Sequence, residues 1–241
     1  HRKRLENVNS FYSVIISLII IFLPMSLVII QPDLGTSLLI SMSGILVLWF
    51  AGLNHKYFFY SFLISILSLP FIISFLKPYQ KLRVLTFLNP DRDPLGSGYQ
   101  IIQSKIAVGS GGLFGKGFLK GTQSYLEFLP EKHTDFIFTL FSEEFGFLGS
   151  VFLLLIYAII IYRIIKIGSV SRSYFAKLFC YSFGASIFIY ITINMSMVLG
   201  MLPIVGSPLP IMSYGGSSML ATMIGFGIVM SAKIHSQQSI A

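Results

Sequence analysis

Polar and apolar positions along this chain fall into long blocks rather than into alternation. Six blocks are apolar almost throughout: Phe11–Ile30, Leu34–Leu53, Tyr57–Leu76, Phe147–Ile165, Tyr174–Leu199 and Ile211–Met230. Each is about 19–26 residues long, enough for a helix to cross a hydrocarbon core about 30 Å thick. Continuous runs of this length argue against a membrane barrel, whose strands alternate every second residue. The pattern predicts an all-α polytopic membrane protein with six transmembrane helices, forming a single membrane domain over residues 1–241.

Three polar interruptions carry the remaining information. The first is the turn "QPDLG" between the first two runs, and the second is the long stretch 77–146. The long stretch predicts an extracytoplasmic loop. Near its end, "TDFIFTLFSEEFG" is apolar on one face, with Asp135, Ser142 and Glu143 roughly on the other. This predicts a short interfacial helix leading into the fourth span, with Thr134 or Asp135 as its N-cap. The third interruption is "GMLPIVGSPLPIMSYGGSS", Gly200 to Ser218, where Pro203, Pro208 and Pro210 bar a regular helix. It reads as a partly re-entrant loop, with an ordinary interfacial turn as the alternative. Broken backbone at membrane depth is tolerated only where it is buried in protein or lines a wet cavity.

Charge then sets an orientation. Arg2, Lys3 and Arg4, then Lys56, then Arg163, Lys166, Arg172 and Lys177, and finally Lys233 all fall on one side of a six-span arrangement. That side is predicted to be the cytoplasm, which makes the N-terminus of this chain cytoplasmic. The 77–133 part of the loop holds eight Lys and Arg of its own. Its length, near the limit of about 60 residues beyond which loop charge stops counting, makes that tolerable.

Composition supports the membrane reading: 54% of residues are apolar and 11% charged, with a mean hydropathy of +0.80. Ordinary soluble domains carry about 25% charged residues. The net charge of +8 is spread over many loops, which argues against nucleic acid as a partner. The single cysteine, Cys180, excludes an internal disulfide. No cleavable signal peptide is readable. The chain begins with His1 rather than Met, so a fragment of a longer protein is the expectation.

Candidate chemistry gathers in the outer segments. "VGSGGLFGKGFLKGTQ" does not match a P-loop or a GxGxxG register, yet it offers backbone N–H groups beside Lys105, Lys116 and Lys120. That combination suits a phosphate or diphosphate; a surface loop meeting anionic lipid heads is the alternative. Asp135, at the start of a half-buried helix, can serve as a general base or simply as an N-cap. His133 is a second candidate base or a substrate hydrogen-bond partner. Asp33 in "QPDLG" is an acid at the membrane edge, a functional candidate by default, and equally a solvated turn residue. Glu143 and Glu144 can pair with loop lysines or hold a cation. Thr192, Asn194 and Ser196 read as interhelical hydrogen-bonding groups. No Cys/His zinc pattern or nucleophile elbow is present.

"QPDLGTSLL", "DPLGSGYQIIQSKIAVGSGGLFGKGFLKGTQSYLEFLPEKHTDFIF", "SEEFGFLG" and "VGSPLPIMSYGGSS" together resemble the SEDS family (shape, elongation, division and sporulation; FtsW/RodA/SpoVE). The resemblance covers essentially the whole chain and is nearer the family's rod-shape branch than its division branch. It implies a peptidoglycan glycosyltransferase that polymerises lipid II into glycan strands on the outer face of the bacterial inner membrane. The implied role is in cell elongation and rod-shape maintenance. The implied partners are a class B penicillin-binding transpeptidase, elongation-complex proteins of the actin-like cytoskeleton, and membrane lipid. The family's catalytic aspartate in "HTDF" maps to Asp135. Substrate-binding roles map to Asp33, Gly111, Gly112, Lys116, Glu127, His133 and Ser213, and Gly117 falls in the same glycine–lysine motif. Lys105, Lys116 and Lys120 are the candidates for the diphosphate leaving group. A divalent cation could share that role, and nothing in the sequence fixes its ligands. Members of the family have about ten spans, so four N-terminal helices are expected to lie outside this sequence.

Two rival functions stay open on sequence. A lipid II flippase would place more weight on polar residues deep in the spans, such as Asn194, than on Asp135. A non-catalytic remnant or scaffold binding the penicillin-binding protein would be indifferent to Asp135→Asn. A solute channel is disfavoured because the spans carry almost no ionisable residues.

Overall fold

The computed structural model describes residues 10–31, 33–75, 77–93, 96–122 and 133–236, and among these all regular structure is helical. In chain order the α-helices are α1 (Phe11–Ile30), α2 (Leu34–Phe50), α3 (His55–Phe75), α4 (Pro78–Leu88), α5 (Ser97–Ser110), α6 (Ile137–Val170), α7 (Tyr174–Val198) and α8 (Gly216–Ile234). A 3₁₀ turn, Pro90–Arg92, separates α4 from α5. Four helices, α1, α6, α7 and α8, are long and apolar enough to cross a membrane. The other two predicted spans form α2 and α3, of 17 and 21 residues. None of the apolar stretch of α1 is buried in the protein. A helix apolar all round and left uncovered belongs in lipid. The chain is a multi-pass membrane protein.

The chain forms two compact units. The first comprises His1–Lys81, Ile164–Ser186 and Val229–Ala241. Within it α1 and α2 pack together, with Ile21 seated where Gly44 has no side chain. Asp33 starts α2: its Oδ1 accepts the Thr36 N–H (3.0 Å) and its Oδ2 the Thr36 hydroxyl (2.6 Å). A side-chain acceptor at this position satisfies a backbone donor that the helix itself leaves open. The Tyr174 hydroxyl donates to Ala51 O (3.1 Å), and Cys180 is fully buried against Gly168.

The second unit comprises Leu82–Arg163 and Ile187–Ile228 and holds the described residues singled out for chemistry, Asp33 excepted. Much of the predicted loop 77–146 is helical. Pro78 opens α4 at the position where its missing N–H does no harm. Asp93 Oδ2 accepts the Ser97 N–H (2.9 Å) and hydroxyl (3.1 Å) at the start of α5. The Ser104 hydroxyl then donates to Val198 O (2.9 Å), tying α5 to the end of α7.

The short helix expected before the fourth span exists, but it runs into that span as one element with a break at Gly146. At its start a backbone hydrogen bond of helical spacing runs from Leu140 N–H to Phe136 O. Ser142 and Glu143, expected on a polar face, are buried. The glycine-rich segment after α5 covers them, as the close approach of Gly111 to Ser142 O shows.

The last span begins at Gly216 rather than Ile211. Residues 199–215 stay irregular, yet Ile204, Ser207, Leu209 and Ser213 are buried. Irregular backbone is thus covered by protein, as a membrane chain requires.

Gly146 has φ +67 and ψ −164, a region open essentially only to glycine. A Cβ there would sit 2.3 Å from Gly115 N. Gly146→Ala is therefore expected to destabilise the protein by about 1–3 kcal/mol from backbone strain alone, seen as a lowered midpoint of thermal unfolding in detergent. An unchanged midpoint would contradict this geometry.

Candidate active site

The turn His133–Phe136, which precedes α6, is held by its main chain. Tyr214 N–H donates to His133 O (2.9 Å), the Ser213 hydroxyl to Thr134 O (2.6 Å), and Asn194 Nδ2 to Asp135 O (2.8 Å). Three consecutive carbonyls are thus each taken by a different donor. Two donors come from the irregular segment after α7 and one from α7 itself. That segment is braced in turn: Ser213 Oγ accepts the Leu209 N–H (2.7 Å), and Asn194 Nδ2 also donates to Ser207 O (2.7 Å). The Tyr157 hydroxyl on α6 donates to Pro210 O. Ile211 adopts φ +71, a strained value for a β-branched residue that persists only where the surroundings impose it.

The Asp135 side chain is half-buried and lies along Gly206: a Cβ on Gly206 would stand 3.4 Å from Asp135 Oδ2. Gly206 has φ +70, a backbone conformation that suits glycine. Next to this turn an open cleft of about 630 Å³ is lined by His133, Ile137, Ser213, Tyr214, Gly216 and Met219. His133 and Tyr214 are exposed at it. His133 and Ile137, on either side of Asp135, line this mostly apolar cleft, while the Asp135 carboxylate itself faces Gly206. A carboxylate on a turn beside such a cleft has the chemistry for proton abstraction from an amphiphile.

The glycine–lysine motif sits at the other end of the short helix 137–145. Lys116 N–H donates to Glu143 O (3.0 Å) and Gly117 N–H to Glu144 O (3.0 Å); Phe147 N–H returns to Gly112 O (2.9 Å). Lys116 Nζ pairs with the fully buried Glu143 at 2.7 Å and reaches Thr122 Oγ1 at 2.8 Å. The glycines here let two backbones touch. A Cβ on Gly111 would stand 2.1 Å from Ser142 O. From Asp135 to Glu143 is eight residues, roughly 12 Å along a helix axis.

Of the other residues named from the sequence, Lys105 and Lys120 are exposed, and Lys105 extends across Gly200. Gly112 is exposed beside Lys116. Asp33 caps α2 in the first unit, and Glu127 lies outside the described residues. Thr192 donates within its own helix to Phe188 O (2.8 Å), whereas Asn194 reaches out of its helix to two loops. Among the described residues no three His, Cys, Asp or Glu side chains gather to hold a metal ion.

A family model described as "Cell cycle protein", FtsW/RodA/SpoVE, matches residues 2–238. The chain is 48% identical over 221 residues to the peptidoglycan glycosyltransferase MrdB of Escherichia coli, covering 91% of this chain and 60% of MrdB. It is 39% identical over 195 residues to the peptidoglycan glycosyltransferase RodA of Treponema pallidum, covering 78% of this chain and 45% of that protein. A solved peptidoglycan synthase complex, described for the structural coordination of its polymerization and crosslinking, superposes with a TM-score of 0.78 at 32% identity. The match covers 96% of this chain and 65% of the matched one. Thermus thermophilus RodA, at 23% identity and a TM-score of 0.63, shares the fold. The chain thus spans about 60% of the length of MrdB.

Lys116→Met leaves the Glu143 carboxylate buried without its ammonium partner. The expected cost is about 3 kcal/mol, at the low end for a buried pair because Lys116 is partly exposed. Adding Glu143→Gln should recover much of it. Thermal unfolding of the single and double variants checks this; additive losses would contradict the pairing.

Proposed function

This chain belongs to the FtsW/RodA/SpoVE family, and we propose that it carries the catalytic aspartate of a peptidoglycan glycosyltransferase that polymerises lipid II. The observation that supports this reading most is Asp135: its carboxylate is half-buried on a turn held at three carbonyls, and the residues His133 and Ile137 on either side of it line an open cleft. In the proposed step Asp135 takes the proton of the acceptor sugar hydroxyl. That oxygen forms a bond to the donor's anomeric carbon, and the bond from this carbon to the diphosphate oxygen breaks. Polyprenyl diphosphate leaves with the electron pair.

Charge developing on the diphosphate needs cationic partners. Lys116 is held at Glu143, about 12 Å down the helix from Asp135. Its part is to fix the glycine-rich loop, which leaves Lys105 and Lys120 for the leaving group. A divalent cation would be held mainly by the diphosphate oxygens, in the way Mg²⁺ is held at phosphate sites. His133 and Tyr214, exposed at the cleft, are placed to meet the sugar or peptide of the substrate.

The site then faces the outside of a bacterial inner membrane, with the N-terminus of this chain cytoplasmic, as the Lys and Arg distribution supports. A class B penicillin-binding transpeptidase is the proposed partner. The similarity to a solved synthase complex in which polymerization and crosslinking are coordinated supports that reading. The actin-like elongation cytoskeleton is proposed as a further partner, on the family's rod-shape branch alone. A flippase would give Asn194 a substrate-facing role, but its amide hydrogens are engaged with Asp135 O and Ser207 O.

Full-length protein with its transpeptidase partner, given purified lipid II, is expected to make glycan strands. Asp135→Asn should lower the rate by a factor of about 10²–10⁴, the usual contribution of a general base, while lipid II binding is retained. Wild-type rates from Asp135→Asn would overturn the assignment.

A further inference from the structure

We infer that Asn194 is a positioning residue for Asp135, setting where the carboxylate stands through the main chain that carries it. The inference rests on the reading of Asp135 as the base. Asn194 lies within α7, a helix apolar and long enough to cross the membrane, and is fully buried. A carboxamide in such a place is costly unless its hydrogens are satisfied. Both hydrogen bonds made by its Nδ2 leave the helix, and they go to two different non-helical segments: Asp135 O at 2.8 Å and Ser207 O at 2.7 Å.

The two acceptors matter because of what adjoins them. One carbonyl belongs to the residue whose carboxylate is proposed to react. The other follows Gly206, which flanks that same carboxylate. A single NH₂ group therefore ties the backbone bearing the carboxylate to the backbone that walls it. Ser213 and Tyr214 hold the two preceding carbonyls from the same irregular segment. A hydroxyl at position 194 has one hydrogen to give, and a buried carboxyl group at most one. Only an amide of this reach supplies two donors from one atom.

A purely structural asparagine would also stabilise the protein, so the test must read the chemistry. In full-length protein polymerising purified lipid II, Asn194→Asp keeps the shape and leaves at most one donor, since a carboxyl buried between two carbonyls retains its proton. The expected result is a kcat lower by roughly 100-fold, the cost of displacing a reacting group by about 1 Å, with KM for lipid II nearly unchanged. Asp135→Asn added to Asn194→Asp should then cost far less than it does alone, because the two residues act as one unit. An Asn194→Asp variant whose folded fraction turns over at the wild-type kcat overturns the inference, as does Asp135→Asn costing the same factor in both backgrounds. If Asn194→Asp does not fold, Ser213→Ala replaces it. That variant removes the Ser213 bond to Thr134 O with a small change in volume and should lower kcat about tenfold by the same displacement argument. An unchanged kcat there counts against the proposal. A fully active Asp135→Asn overturns the underlying reading and the inference with it. An inactive Asp135→Asn beside a fully active Asn194→Asp strikes the inference alone.

Discussion

Three adjacent carbonyls, those of His133, Thr134 and Asp135, each receive one hydrogen bond from a donor far away in sequence. Much of the second unit's polar structure follows from that constraint. In a membrane chain, non-helical backbone must find its partners inside the protein, since lipid supplies none. The turn before α6 and the proline-broken segment after α7 are both non-helical, and each answers the other's needs. Ser213 shows this most economically: one hydroxyl donates to Thr134 O and accepts from Leu209 N–H. Ile211 sits in a strained conformation between Pro210 and Ser213, consistent with a segment whose geometry its neighbours impose.

At the far end of the same short helix, burial of a charge plays the corresponding part. Glu143 is fully buried, and a lone buried carboxylate would be expensive. Lys116 supplies the compensating charge, and the backbone bonds of Lys116, Gly117, Phe147 and Leu148 fold the glycine-rich segment onto the break at Gly146. The short helix 137–145 is thereby anchored by carbonyl capture at its start and by an ion pair and backbone pairing at its end. A carboxylate placed just before such a helix has little freedom to wander, which is the preorganisation that general-base chemistry uses.

The apolar blocks were readable because lipid rewards continuous hydrophobicity. Phe11–Ile30 agrees with α1 to the residue, and Tyr174–Val198 ends one residue from the reading. Interruptions were harder. The glycine and proline density of 77–121 suggests loop, but α4 opens on Pro78 and the Asp93 carboxylate takes the Ser97 N–H at the start of α5, local features that only short-range inspection detects. Amphipathic spacing put Ser142 and Glu143 on a polar face without revealing that a glycine-rich segment would cover it. The role proposed for Asp135 comes from motif resemblance, because spacing alone fits a cap as well as a base. Asn194 looked like an ordinary interhelical group; what it touches depends on two loops meeting at one point, which no local pattern encodes.

The central claim is that the main chain of the turn 133–136 is pinned by hydrogen bonds rather than loose at the surface. Amide hydrogen exchange of the full-length protein in detergent, followed on peptides covering 133–140 and 207–216, measures this. The account predicts slow exchange in both, with Tyr214 protected, and faster exchange in both after Asn194→Asp while the rest of α7 keeps its protection. Exchange in the wild type as fast as that of an unstructured segment, or no response to Asn194→Asp, would contradict it.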